Sequence, residues 1–194
     1  MYEVLPQRRS IPARPQRADA ALNRKAILDH AYVALTAGEQ WSLNSIAKGA
    51  GVANATLYRH FADRDALILA VYDMELDRLT TAADRLLDAL PPDQALEAWV
   101  AELARYAMTK NGFADALRAA TAPGTRRHAD TYDRIVAALE KLLDAAAQAG
   151  VLRQGLDADD TILALAGLWQ LDPTSDWRGR AMRLYRLVID GLRP

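Results

Sequence analysis

Between Ser42 and Arg64 the sequence gathers side chains suited to binding anionic oxygen and the edges of bases. Lys48 and Arg64 bring charge, and Ser42 brings a hydroxyl at a helix start; all three are groups that hold the phosphates of a nucleic acid backbone. Lys48 fits a solvated surface lysine equally well. Asn54 offers an amide that pairs bidentately with adenine, which makes it the best candidate here for reading sequence. Its neighbour Ala55 offers only a methyl group, and Thr56, Tyr58, Arg59 and His60 follow directly. Catalytic chemistry has no comparable support. His30, His60 and His128 are isolated, and the chain has no HExxH, no GxSxG and no phosphate-binding glycine loop. Asp157, Asp159 and Asp160 lack the glycine and distal Glu of a calcium loop and suit a helix start instead. No enzyme, no metal site and no cofactor are expected.

Positioning these groups needs two short helices. Leu43, Ile46, Ala47 and Ala50 recur at i, i+3, i+4 and i+7, one face of a helix, and Gly51 follows where a helix turns off most easily. A second helix starting near Asn54, with Asn54 as its cap, buries Leu57 and Phe61 and leaves Thr56, Tyr58, Arg59 and His60 pointing elsewhere. This is the build of a helix-turn-helix, whose second helix enters the major groove. An αα-hairpin inside an ordinary helical bundle shows the same spacing.

The residues themselves go further. Ala50-Gly-Val-Ala-Asn-Ala-Thr-Leu-Tyr-Arg-His-Phe61, followed by Ala62-Asp-Arg-Asp-Ala-Leu67, resembles the signature of TetR-family transcriptional regulators, over Arg24 to about Leu69 without a gap. One departure is Ala53, which stands where the family often has a capping Ser. The resemblance implies that Asn54, Ala55, Thr56, Tyr58 and His60 face DNA, with Tyr58 and His60 mostly holding phosphates, and it favours a phosphate contact for Arg64. The competing reading of Tyr58 is packing between head and body.

Composition fits this frame. Ala and Leu dominate the 194 residues, half of the chain is hydrophobic, and prolines sit near the ends or in apparent breaks, so an all-α fold is expected. The absence of cysteine suits a reducing compartment. No apolar run approaches membrane-spanning length and the start lacks a signal core, so a soluble, cytoplasmic chain without a membrane partner is expected. Net charge is only −1, but residues 1–65 hold 9 Lys/Arg against 6 Asp/Glu and residues 66–194 hold 15 against 19. A basic front on an acidic body suits a DNA reader joined to something else.

The expected organisation is a disordered basic arm (1–17), a three-helix helix-turn-helix domain (18–65) and a helical effector-binding and dimerisation domain (66–194), about nine helices in all. In the arm, Arg14 and Arg17 with their neighbours either reach the minor groove or belong to a solvated tail. The first helix is expected over 19–37, a long one over 64–90, then 94–110, a short 113–120, 129–149, one after Asp157 and a last over 177–192. Trp99, Tyr106, Phe113, Tyr132 and Trp169 are candidates for an effector pocket, against plain core packing. Ile162, Leu165, Trp169, Ala181, Leu184, Tyr185 and Val188 are candidates for a dimer interface, against completion of the subunit's own core. The function so expected is a ligand-responsive regulator: a repressor that holds a palindromic double-stranded operator as a homodimer and is released by a small apolar or aromatic effector. The alternative is an adaptor of the same fold that no longer reads DNA.

Overall fold

A computed structural model describes residues 14–37, 40–112, 127–172 and 174–194, and all regular structure among them is helical. The order is α1 (Arg14–Thr36), α2 (Leu43–Gly49), α3 (Asn54–His60), α4 (Arg64–Ala89), α5 (Pro92–Gly112), α6 (Arg127–Gln148), α7 (Ala158–Ala164), a 3₁₀ segment (Leu165–Gln170) and α8 (Trp177–Asp190). The expected helix over 113–120 lies outside the described residues, as do residues 1–13 of the expected arm. None of the described helices is long and apolar enough to cross a membrane.

Helix α1 begins at Arg14 rather than at residue 19, so 14–17 are helical and not part of an arm. Pro15 falls in the first turn, where backbone N–H groups have no partner within the helix and a missing donor costs nothing. The α1 stripe of Ile27, Leu28, Ala31 and Leu35 is buried with Ile46, Ala47, Leu57 and Phe61 of the two short helices. Ser42 and Ser45 form a reciprocal capping box at the start of α2. Gly51 takes a φ of +71°, the left-handed turn between α2 and α3. The cap of α3 is Ala53, without a side-chain hydrogen bond, so Asn54 is the first helical residue and not the cap. An uncapped start is tolerated because α3 is held by burial of Leu57 and Phe61, both at most 3 % exposed.

Asp63 caps α4 through the Ala66 N–H at 2.8 Å. With 26 residues, α4 runs about 39 Å and serves both regions. Its buried stripe from Leu67 to Leu86 packs against α1, α5 and α6. Trp99 of α5 is fully buried and its indole N–H donates to the Leu79 carbonyl at 3.0 Å. Glu75, Arg105, Glu102, Tyr32 and Thr109 form a polar network that ties α1 to α4 and α5. Burial opposes the charge on Arg105, yet the hydrogen bond and charge of Glu75, with Glu102 and Tyr32, hold its guanidinium protonated well above its ordinary pKa.

The helix expected after Asp157 changes character midway. Asp157 caps α7 through the Asp160 N–H, and from Leu165 the chain tightens into a 3₁₀ segment. Ile162, Leu165, Leu168 and Leu171 are buried at a spacing of three, which fits the three-residue turn of a 3₁₀ helix and not 3.6. In α8, Ala181, Tyr185 and Ile189 are buried at a spacing of four against α5 and the 3₁₀ segment.

Candidate nucleic-acid interface and body cleft

Burial of Leu57 and Phe61 fixes which way the rest of α3 faces. Asn54, Ala55, Tyr58 and Arg59 are exposed, and Thr56 and His60 are half-buried. Tyr58 is 52 % exposed, so its phenol projects to solvent and does not pack at the head–body junction. Arg59, to which the sequence reading gave no role, lies opposite the buried stripe. Its guanidinium donates to the Thr56 hydroxyl at 3.1 Å, which holds the side chain along the outward face. The signal for it was present: a cation four residues after Ala55, on the same face.

The flanks add further donors. Arg64, at the first turn of α4, stacks its guanidinium 4.1 Å from the centre of the Trp41 ring, a contact that orients a flexible side chain. Arg24 of α1 lies 5.3 Å from the centre of the Phe61 ring, so that a second cation sits over the end of α3. Ser42 is the α2 cap; its oxygen accepts from Ser45, which leaves its own O–H as a donor. Lys48 is exposed in the last turn of α2. The side chains of Arg14 and Arg17 lie outside the described residues. Asp19, Ala20 and Asn23, one turn further along α1, share a cleft with Thr56, Arg59 and His60, so the start of α1 adjoins the outward face of α3.

Two short helices joined by a left-handed glycine turn, the second offering an amide, a phenol and a guanidinium outward, form the geometry of a helix-turn-helix with its recognition face exposed. Residues 39–71 match the family described as bacterial regulatory proteins, tetR family, and residues 91–194 match the C-terminal domain of SbtR-like transcriptional regulators. The chain belongs to the TetR family. Solved relatives agree over nearly the whole length. A TetR transcriptional regulator of Streptomyces coelicolor is 44 % identical, with 88 % of this chain and 98 % of that one covered, at a TM-score of 0.79. A TetR transcription regulatory protein of Mycobacterium vanbaalenii is 34 % identical over 93 % of this chain and all of that one, at a TM-score of 0.70. A helix-turn-helix-type transcriptional regulator of Staphylococcus aureus is 35 % identical over 77 residues, a match spanning 40 % of its length. A TetR-family chain is a DNA-binding transcriptional regulator, and homodimers are typical of the family.

The body of this TetR-family chain holds a cleft of about 290 Å³ between α4, α5, α6, α7 and the 3₁₀ segment. Of the expected pocket residues, Tyr106, Tyr132 and Trp169 line it; Trp99 does not, being spent in the core between α4 and α5, and Phe113 lies outside the described residues. Tyr72 of α4 joins the lining and was missed, because a tyrosine within a buried stripe looks like any core residue. At the mouth, Tyr132 donates to Asp159 at 2.6 Å, and that bond pushes its phenol up to about 12.

The expected dimer residues divide in the same way. Ile162, Leu165, Ala181 and Tyr185 are buried within the subunit itself, so they complete its core and present no surface to a partner. Leu184 and Val188 are half-buried, and Trp169 turns to the cleft. The large exposed apolar side chains of this region are Leu163, which also borders the cleft, and Leu187, at 60 % and 75 %. Helical periodicity selected the expected residues because the inner stripe of each helix is its most hydrophobic one, and that stripe packs within the subunit.

Proposed function

We propose that this regulator is a repressor that binds a palindromic operator as a homodimer and is released when a small molecule fills the body cleft. The observation that carries this reading is the course of α4, which brings Arg64 beside the recognition helix and, about 12 Å further along the same helix, Tyr72 into the cleft. A ligand that displaces α4 shifts the head, and operator half-sites at fixed spacing tolerate little shift. In this scheme Tyr58, His60, Arg64, Ser42 and Lys48 hold phosphates, Arg14 and Arg17 extend the basic front, and Asn54 and Arg59 read bases. Arginine is the residue that pairs bidentately with guanine, and Arg59 is the cation best placed to reach one. The functional boundary between head and body falls within α4, and the dimer forms through the outer faces of α7 and α8 around Leu163, Leu184, Leu187 and Val188. The adaptor reading is disfavoured by the exposure of Asn54, Tyr58 and Arg59 together. Fluorescence anisotropy with the DNA upstream of the protein's own gene tests the proposal: sequence-specific binding by a dimer supports it, and binding no tighter than to scrambled DNA refutes it.

A further inference from the structure

The chemistry of the body cleft restricts its occupant more than its size does. Phenol and indole rings, aliphatic chains and one threonine line it, with no Lys, Arg, His, Asp or Glu among the described lining residues. The charges acting on it from behind are mostly negative. Asp159 binds Tyr132 at the mouth with Asp157 and Asp160 near it, and Asp73 acts on Tyr106 against a single opposing Arg134. A carboxylate placed there would lose its hydration and meet no cation among the described lining residues. An ammonium group would meet ring faces but no carboxylate inside the lining.

Two buried hydroxyls in the lining have no partner outside their own pair. Among the described residues, three buried side-chain polar atoms have no hydrogen-bond partner, and two of them are the hydroxyls of Tyr72 and Tyr106. These residues are 1 % and 2 % exposed, with ring centres 5.9 Å apart, and both line the cleft. Native interiors pair nearly all such groups, so a pair of exceptions at one cleft requires an explanation. Burial, followed by the charge and hydrogen bonding of Tyr72, pushes the Tyr106 phenol far above its ordinary range, so the two hydroxyls act on each other and hydrogen-bond to no third group among the described residues.

We propose that the cleft takes an uncharged, flat aromatic molecule bearing a carbonyl-type acceptor, and that the hydroxyls of Tyr72 and Tyr106 donate to that acceptor. The inference rests on the effector reading above and names the class of that effector. Both hydroxyls are sealed from water, so an acceptor reaches them only when the groups that cover them part. These hydrogen bonds therefore exist only in the parted state, which supplies the differential affinity that a ligand-driven switch requires. Tyr72 is on α4, so the motion that admits the acceptor moves the helix that carries Arg64.

The test is equilibrium dialysis of the full chain with four naphthalenes of matched size: 2-acetylnaphthalene, 2-isopropylnaphthalene, 2-naphthoate and 2-naphthylmethylammonium. The ketone is expected to bind about tenfold more tightly than the hydrocarbon, which lies within the cost of leaving a buried donor unpaired. The naphthoate and the ammonium compound should be weaker than both. In the double variant Tyr72→Phe/Tyr106→Phe, checked for helix content by circular dichroism, the ketone should lose its margin over the hydrocarbon. Equal binding of ketone and hydrocarbon to the native chain, tightest binding by either ion, or no binding of any probe overturns the proposal, whether or not the variant folds. If the ketone binds with a tyrosine-dependent margin while operator affinity is unmoved, the ligand class stands and the release mechanism under Proposed function falls.

Discussion

The recognition helix and the packed faces of α4, α5 and α6 use their cations in different ways. In the body, Arg78, Arg85, Arg105, Arg134, Lys141 and Arg186 each lie within 4.0 Å of a carboxylate on a neighbouring turn or helix. On and beside the recognition helix, none of Lys48, Arg59 and Arg64 has such a partner among the described residues. Arg59 and Arg64 are held by a threonine hydroxyl and a tryptophan ring, contacts that fix direction without neutralising charge. Overall charge conceals this difference, since the whole chain sums to −1. Between helices α4, α5 and α6 the cations are paired and hold the packing together, whereas those on and beside the recognition helix keep their charge free for phosphates, a difference that a count of charges does not reveal.

The largest effect is expected where a paired cation of the body is orphaned. Glu75 is 2 % exposed and binds Arg105 at 2.5 Å. Replacing it by alanine should cost about 2–3 kcal/mol in urea unfolding, less than the usual loss for a fully buried pair because Arg105 keeps Glu102 and is partly exposed. In the head the opposite holds. Arg59→Ala should leave the unfolding midpoint unchanged, weaken operator binding by about 1–3 kcal/mol and relax preference at one G·C pair, as a panel of single-base operator variants would reveal. Unchanged base preference would return Arg59 to the backbone-binding set.

The outer faces of α7 and α8 invite a third measurement. Leu187 is 75 % exposed, so Leu187→Glu should leave the subunit folded while giving monomers in sedimentation, because an isologous patch sets the new carboxylate against its own copy. A variant that stays dimeric would place the interface on another face. The smallest effect belongs to an exposed body pair: Lys141→Ala, which breaks a contact to Asp84 at 2.7 Å, should change stability by at most about 1 kcal/mol.

Much of the head was legible in the sequence because its signals are local. Gly51 after an i, i+3, i+4, i+7 stripe positioned the turn, and α4 starts at Arg64 as expected, with Asp63 as its cap. Errors arose where a local rule met a second condition. Pro15 looked like a helix breaker but sits in a first turn, and Asn54 looked like a cap but lies one residue inside the helix. In the body, periodicity separates the inner face of a helix from the outer one and cannot divide the inner face further. Trp99 and Tyr106 both fall on the buried side of α5, yet one is sealed against α4 by a hydrogen bond and the other borders a cleft. That distinction depends on where neighbouring helices stop, which is tertiary information. The 3₁₀ segment was visible in principle as leucines at a spacing of three.

The most direct test of the head–body contrast is the salt dependence of DNA affinity in the native chain and in two charge variants, Arg64→Ala and Lys141→Ala. Each phosphate contact releases condensed counterions, so the logarithm of affinity should fall linearly with the logarithm of salt concentration. Arg64→Ala should reduce that slope by about one, and Lys141→Ala should leave it unchanged. Equal slopes for all three proteins, or a slope changed by Lys141→Ala alone, would contradict the assignment of the unpaired cations to DNA.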